Sequence, residues 1–419
     1  MTDVLEEIKR LQFDDQPAAE ALTLAFIREQ LGLDVVSLEL RPLVVSLNSF
    51  NGFMTLGDGR RLFFKTHTEP DNVIGEYYHA SALAQAGYPV LQPIYSSTEA
   101  GRQLLVYEVV DDPSVFEVAW QIETSDSTHL EGLTAAQNAS DDQLRAIYEA
   151  TLTELSAAQA SIAPVHQLFH HRLTRGRLTR FYGPLPGAAG DDTGFDIGGE
   201  VVPMKSVRRI RWQINGQRYD DTLDDIIRRA VTLLEPAQAG PAIIGHGDAH
   251  NGNVFFRGAN DQPWLMYFDP AFAGRHHPLL DLTKPLFHNV FAMWMYYPRE
   301  KADITHVRLT RQGDEWLLEH DYALHPVRAM FLRSKVERVL TPALMMLKAR
   351  GWLRPDWRTY LKASLFCCPF LTMNLADRTK FPPETGLLGL AMALEMGAES
   401  AGVRSLIDTT LDEVAHAIG

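Results

Sequence analysis

Cysteine is almost absent from this 419-residue chain, and the two that occur, Cys367 and Cys368, are neighbours. Adjacent cysteines cannot make an ordinary structural cross-link, so a disulfide-stapled secreted scaffold is excluded and a reducing compartment, the cytoplasm, is expected. Long apolar runs are missing too. The richest stretches are broken by Lys284, Pro285 and His288 in one case and by Pro369 and Asn374 in the other. None reaches the roughly 18 residues that a membrane-spanning helix needs, so no membrane partner is expected. The opening Met1-Thr2-Asp3-Val4-Leu5-Glu6-Glu7 is acidic and lacks the basic-then-apolar plan of a secretory signal. Positive charge is in deficit, with 39 Lys and Arg against 53 Asp and Glu and a formal net charge of −14. A nucleic-acid partner calls for a basic surface and is not expected. The acidic balance weakly favours a cationic small-molecule partner, although solubility alone accounts for it as well.

What is present is an ordinary globular composition, 46% hydrophobic and 22% charged, in a chain long enough for two or three packed units. The informative stretch runs from Ile243 to Phe256, Ile-Ile-Gly-His-Gly-Asp-Ala-His-Asn-Gly-Asn-Val-Phe-Phe, followed by Tyr267-Phe268-Asp269-Pro270. Two carboxylates and a carboxamide flank apolar, strand-like runs here. Phosphoryl transfer from ATP needs such parts: one carboxylate to orient or receive the attacking hydroxyl, and a second, with an amide oxygen, to hold Mg²⁺ against the phosphates. Asp248 and Asn253 are five apart, the spacing of the kinase loop H-R-D-x-x-x-x-N. His246 takes the first position of that loop, and Gly247 stands where its Arg would be. Asp269 follows a hairpin-like connection, the place of the metal-binding Asp in D-F-G.

On these residues the chain resembles the aminoglycoside phosphotransferase and choline kinase group, whose loop reads H-G-D-x-x-x-x-N. The resemblance implies Asp248 as catalytic base, Asn253 and Asp269 as Mg²⁺ ligands, and His246 as a histidine that braces the loop. Asp281, in Pro278-Leu279-Leu280-Asp281-Leu282, resembles the family's later Asp-Leu motif and would anchor the loop rather than react. The close match spans 243–284, and a looser one extends over the preceding part. Residues 285–419 carry no motif that can be assigned.

Upstream, the pattern has the order of a kinase amino-terminal lobe. Ala18, Leu22, Ala25, Phe26 and Leu31 fit one face of an opening helix. Strands are predicted over Leu38–Val45, Gly52–Leu56 and Arg61–Lys65, with Ser46–Gly52 as a polar turn and Gly57-Asp58-Gly59 as a hairpin turn. A helix over 73–86 and strands at Pro93–Ser96 and Leu104–Val110 complete a five-stranded antiparallel sheet. Lys65 ends the third strand in the place of the kinase β3 lysine, with Glu76 in the next helix as its ion-pair partner. The turn Ser46-Leu47-Asn48-Ser49 has the hydroxyl and amide groups to cap phosphates. By position, backbone groups around Glu108 to Val110 would pair with adenine. A surface lysine, a surface helical glutamate and a plain solvated turn are the bland readings of the same residues.

Further along, Ser140-Asp141-Asp142-Gln143 resembles a capping box that opens a helix bearing Leu144, Ile147, Tyr148, Leu152 and Leu155 on one face. Residues 183–204 are rich in Gly, Pro and Asp and read as a mobile loop, a lid or an insertion. Asn215-Gly216 marks a hairpin, and a helix over Leu223–Leu234 leads to the catalytic strand. After Asp281 helices are predicted over 286–295, 326–350, 357–375 and 386–396, with a hairpin near Gln312-Gly313.

Several clusters have two readings. His170, His171, Arg172, Arg175, Arg177 and Arg180 are either a solvated helix end or a grip on an anionic substrate group. The aromatic run Trp294, Tyr296, Tyr297 reads as core before it reads as a binding box, and Cys367-Cys368 as buried packing. His246, His250, His276 and His277 near Asp248 and Asp269 make a zinc or di-metal hydrolase a second reading, although Asn253 then has no role.

Together these features predict a bilobal, kinase-like α+β fold, with a nucleotide-binding sheet and helix over 1–108 and a larger, mainly helical part over 109–419. The expected activity is ATP- and Mg²⁺-dependent phosphorylation of a hydroxyl on a small molecule: an aminoglycoside or other antibiotic, an amino alcohol or a sugar. A nucleotide-binding regulator without catalysis is the alternative from another class. A protein kinase is disfavoured, because Gly247 replaces the Arg that reads a phosphorylated activation loop and no Ala-Pro-Glu segment follows.

Overall fold

The computed structural model describes residues 4–41, 49–67, 79–97, 102–258 and 262–419. The opening pattern becomes two helices, Val4–Asp14 and Gln16–Leu31, the second capped by the Asp15 carboxylate accepting from the Ala18 N–H at 3.2 Å. Its buried residues are Ala19, Thr23, Phe26 and Ile27; of the expected stripe, Phe26 is buried and Leu22 and Leu31 pack on the core, whereas Ala25 is exposed. Two units divide the chain. One is Met1–Pro113 with Met266–Ala271, and the other is Ser114–Leu265 with Phe272–Gly419.

The first unit carries a five-stranded antiparallel sheet in the order β1-β2-β3-β5-β4, with β1 Val35–Leu40, β2 Ser49–Leu56, β3 Arg61–His67, β4 Tyr95–Ser97 and β5 Leu104–Glu108. Strand β2 starts at Ser49, inside the stretch expected to be a turn. Phe50 is buried there, and Phe50 and Asn51 pair with Thr66 and Lys65, so the pairing reaches back past Gly52. A Cβ on Gly52 would lie 2.1 Å from the Glu39 carbonyl oxygen, which is why a glycine sits within the strand. The period of two sorts β3 cleanly. Leu62 and Phe64 join the core beneath the two opening helices, while Phe63 lies with Leu105 and Tyr107 on the other face. By that alternation Lys65 belongs to the second face. A helix occupies 79–86, and its expected start lies outside the described residues.

The second unit is mainly helical. Its centre is the pair Trp357–Leu371 and Pro383–Gly397, apolar nearly all round and buried along almost their whole length, with Pro278–His288 packed against the first. Helix Leu130–Thr151 contradicts the expected capping box. Ser140 lies in its middle and is buried, and the Asp141 carboxylate accepts bonds from Gln137 Nε2, Ser334 Oγ and Lys335 Nζ. Leu155 is also relocated, since the helix ends at Thr151 and Leu155 closes the strand Thr153–Leu155.

Half of the Gly/Pro-rich segment is a β-hairpin, Gly194–Ile197 with Glu200–Pro203, whose Phe195 and Ile197 are buried, so it is not a free loop. Asn215-Gly216 turns a hairpin as expected, with φ of 47° and 81°. That hairpin belongs to a five-stranded sheet with Val307–Gln312, Glu315–His320 and Ser400–Gly402, a grouping the separate local signals did not reveal. Among the described residues no helix is long and apolar enough to cross a membrane.

Candidate active site

Strand Gly240–Gly245 delivers the chain to the loop His246–His250, which passes through a short 3₁₀ turn, Asn251–Asn253, into strand Val254–Arg257. Gly247 has φ +79°, and a Cβ there would stand 2.4 Å from the Phe272 carbonyl oxygen. Both facts exclude the arginine of protein kinases at this position. The Gly247 N–H donates to Asp281 Oδ1 at 2.6 Å, His276 Nε2 lies 3.0 Å from the same oxygen, and the Tyr148 hydroxyl donates to Oδ2. Burial alone would push the Asp281 carboxyl up. The His276, Tyr148 and Gly247 bonds outweigh it and hold the group below the usual carboxylate range. Asp281 thus ties the loop to the helix Pro278–His288. The Asn289 side-chain oxygen takes the Asn251 N–H at 2.7 Å, which fixes the far end.

Asp248 hangs from this braced loop with its side chain 15% exposed. Lys284 Nζ is 3.7 Å and His250 Nε2 3.9 Å from its Oδ1, an oxygen that has no hydrogen-bond partner. Burial opposes ionisation, but Lys284, His250, Arg172 and His246 prevail and lower its pKa. The site therefore presents a carboxylate, not an acid. Asn253 Nδ2 donates to the Asp248 carbonyl at 3.0 Å. With the nitrogen committed, the oxygen is the atom this amide can offer to a hard cation.

In the first unit, Lys65 Nζ reaches Asp269 Oδ1 at 3.3 Å. Asp269 is 46% exposed on its side chain and holds φ +54°, a left-handed conformation that costs a non-glycine residue roughly 1–2 kcal/mol. Backbone strain of this kind collects at functional positions. Glu108 ends β5 exposed, and Val110 follows it half-buried. Ser46, Asn48 and Glu76 lie outside the described residues, so the Lys65–Glu76 pair and the phosphate turn receive no structural account; Ser49 opens β2.

The histidines are occupied otherwise than a metal centre requires. His246 is fully buried, His250 Nδ1 accepts from the Gly252 N–H, and His276 serves Asp281. His277 caps its helix through Nδ1, and burial first, then Arg354 and His276, push its pKa down to about 3. Among the described residues no group of three or more His, Cys, Asp or Glu side chains is disposed to hold a metal ion.

Residues 46–317, more than half of the chain, match the family profile of the APH phosphotransferase enzyme family. The chain belongs to that family. Its antiparallel amino-terminal sheet and mainly helical remainder are the α+β class expected of a kinase-like phosphotransferase. No protein of curated function matches it in sequence. Similar solved structures include the amicoumacin kinase hAmiN in complex with AMP-PNP, Ca²⁺ and Ami, at 14% identity over 93% of this chain and 94% of that one, with a TM-score of 0.43. The aminoglycoside phosphotransferase APH(4)-Ia, in a ternary complex with ADP and hygromycin B, is 11% identical over 90% and 99%, with a TM-score of 0.44. Macrolide 2′-phosphotransferase MphH from Brachybacterium faecium is 13% identical over 95% and 98%, with a TM-score of 0.38.

Sequence reasoning missed two residues at the phosphotransferase's Asp248. Lys284 entered it only as an interruption of an apolar run. Its signal was the spacing Asp281-x-x-Lys284, which puts both charges on one helix face. Arg172 was visible only as a member of a basic cluster. It and Arg177 are half-buried, whereas Arg175 and Arg180 are exposed, as a solvated helix end would leave them. Of the aromatic run only Trp294 is core; Tyr296 and Tyr297 are half-buried, and Tyr297 stacks on Trp120 with ring centroids 3.8 Å apart. Cys367 and Cys368 are free and buried.

Proposed function

We propose that this phosphotransferase moves the γ-phosphoryl group of Mg·ATP to a hydroxyl of a small molecule. One observation carries the reading: Asp248 is a largely buried carboxylate, held ionised, with an oxygen lacking a hydrogen-bond partner, on a loop braced by Asp281. An acceptor hydroxyl supplies the missing bond. As the oxygen–phosphorus bond to the acceptor forms and the one to ADP breaks, the hydroxyl proton passes to Asp248. A carboxylate kept this acidic is a weak base, so orientation is its larger contribution, as suits a loose phosphoryl-transfer transition state.

Lys65 neutralises phosphate charge from the sheet face opposite the opening helices, with Glu76 as its second partner. Ser46, Asn48 and Ser49 cover the phosphates, and backbone groups of Glu108 and Val110 meet the adenine edge. Asn253 and Asp269 are oxygen donors, which suits Mg²⁺. The bound ion would draw charge from the phosphates as the bond to ADP breaks. The cytoplasm, where ATP is plentiful, is the proposed compartment.

Parallel nucleotide titration and ADP-release assays test this. Asp248→Ala should retain Mg·ATP affinity and lose roughly 10²–10⁴-fold in turnover. Asp269→Asn should instead weaken Mg²⁺-supported nucleotide binding. Full Mg²⁺-dependent turnover in either variant would overturn the role assigned to that carboxylate. Nucleotide binding without turnover by the wild type on any hydroxyl acceptor would favour the regulator.

A further inference from the structure

The leading charges that act on Asp248 within the second unit are positive. Lys284, whose side chain is 4% exposed, holds its ammonium 3.7 Å from Asp248 Oδ1 and 3.2 Å from His288 Nε2. His288 is neutral, because burial first and then the Lys284 charge press its pKa well below the usual value. Its Nδ1 meets the Tyr296 hydroxyl at 2.8 Å. It therefore solvates the ammonium without balancing its charge. Arg172 reaches the carboxyl end of helix Trp357–Leu371, with Nη1 3.4 Å from Thr372 Oγ1, and Arg177 Nη1 donates to the Leu371 carbonyl at 3.2 Å. The leading charges felt by Asp248 come from Lys284, His250, Arg172 and His246, and no carboxylate is among them. The leading ones felt by Lys284 include Asp248 and both Arg172 and Arg177.

Lys284 and Arg172 thus both draw on Asp248 in a poorly solvated setting, Arg177 adds a further positive charge near Lys284, and the other carboxylate on the Lys284 helix face, Asp281, is taken up by Gly247, His276 and Tyr148. Half-buried guanidinium groups in such excess call for an anion. The overall charge of −14 favoured a cationic acceptor. However, exposed charges farther off than the Debye length of about 8 Å are largely screened, and a few ångströms of low dielectric are not. The local field decides.

We infer that the acceptor bears an anionic group, a carboxylate, sulfate or phosphate, which Arg172 and Lys284 receive beside the hydroxyl oriented by Asp248. This rests on the kinase reading above and narrows its substrate class to hydroxy acids and their sulfate or phosphate analogues. Arg172 selects among acceptors. A guanidinium fork holds a planar or tetrahedral oxyanion through two bonds, and an ammonium cannot.

The test uses acceptors matched in all but charge, galacturonate with galactose and galactosamine, and glycerate with glycerol and serinol. ADP release is followed with the full chain and Mg·ATP. The acids should stimulate it most. Arg172→Gln should raise the acid KM by about 10- to 100-fold, the range expected for a lost charge-assisted bond. Arg172→Lys should recover part of that loss, and Arg180→Gln, an exposed arginine of the same segment, should change nothing. Equal or better use of the neutral or amino members would overturn this inference and leave the kinase reading standing. A uniform fall in kcat across all acceptors in Arg172→Gln would also overturn it, assigning the arginine to the phosphoryl in transit. If no member of either set stimulates ADP release, calorimetric titration of galacturonate, galactosamine and inorganic sulfate into the Mg·AMP-PNP-loaded protein decides. Binding of galacturonate and sulfate that Arg172→Gln abolishes supports the inference, and its absence overturns it. Failure of the wild type to bind Mg·ATP at all would overturn the kinase reading and this inference together.

Discussion

Gly247 shows what a single residue does for the loop. Its left-handed backbone turns the N–H into Asp281 and leaves no room for a side chain against Phe272. Gly247→Ala must move the loop or strain it by roughly 1–2 kcal/mol before the steric overlap is counted. We expect a lowered Tm in thermal unfolding together with at least a tenfold fall in ADP release. A variant equal to the wild type in both would show that the loop relaxes freely. At this scale the sequence was readable wherever the chemistry sat on one contiguous stretch. Asp248, Asn253 and Asp269, to which the proposed roles are given, stand at spacings that phosphoryl transfer would explain, and Asp281, which the structure shows holding the loop, follows closely. Tyr148 and Arg172 escaped because what defines them is a partner far along the chain. From sequence Tyr148 is one more residue on an apolar helix face, yet its hydroxyl carries part of the load on Asp281.

Among the elements, helices and hairpins with strong periodic or turn signals stand where the pattern puts them, including Leu223–Leu233 with its Thr222–Asp225 capping box. Errors fell where tertiary partners override local chemistry. Ser140 to Gln143 has the composition of a helix start, but the Asp141 carboxylate is spent on Ser334 and Lys335 instead of on its own backbone. The Gly194–Pro203 hairpin is the other case. Glycine, proline and aspartate dominate its surroundings, while the two or three residues that make it structural are easily overlooked. Phe195 lies against the buried helix Pro383–Gly397, where a Cβ on Gly386 would come within 3.2 Å of its ring. Removing Pro186–Gly199 should therefore lower the Tm by several degrees, and Phe195→Ala alone should cost about 3–5 kcal/mol. A merely covering flap would leave the Tm alone and alter only the acceptor KM. Calorimetric scans of the two variants separate these outcomes.

Over the whole molecule, stability should depend on pH through a buried ionic group far along the chain from the loop that bears Asp248. Glu395 is 6% exposed, and burial pushes its carboxyl up to about 7, against the pull of Lys362 and with the help of Asp408. Raised above its unfolded value, this group favours the folded state while protonated. The contribution is full below about pH 4.5 and disappears as pH rises through 7. Asp408, lowered by Lys362 and its Ser400 bonds against the effect of burial, acts in the opposite sense and only in strong acid. Glu395→Gln should flatten the decline between pH 5 and 8 and add about 3 kcal/mol at pH 8; unchanged denaturation curves across that range would show the carboxyl to be solvated.

The make-up of the first unit has a different consequence, one of timing. Its sheet and helices come from Met1–Pro113, but Asp269 and the backbone of Tyr267, which bonds Leu91 and Pro89, come from Met266–Ala271. Translation at roughly 5–20 residues per second puts many seconds between the two. Lys65 is therefore made well before Asp269, so this one of its carboxylate partners joins the sheet only after the whole loop that bears Asp248 has been synthesised.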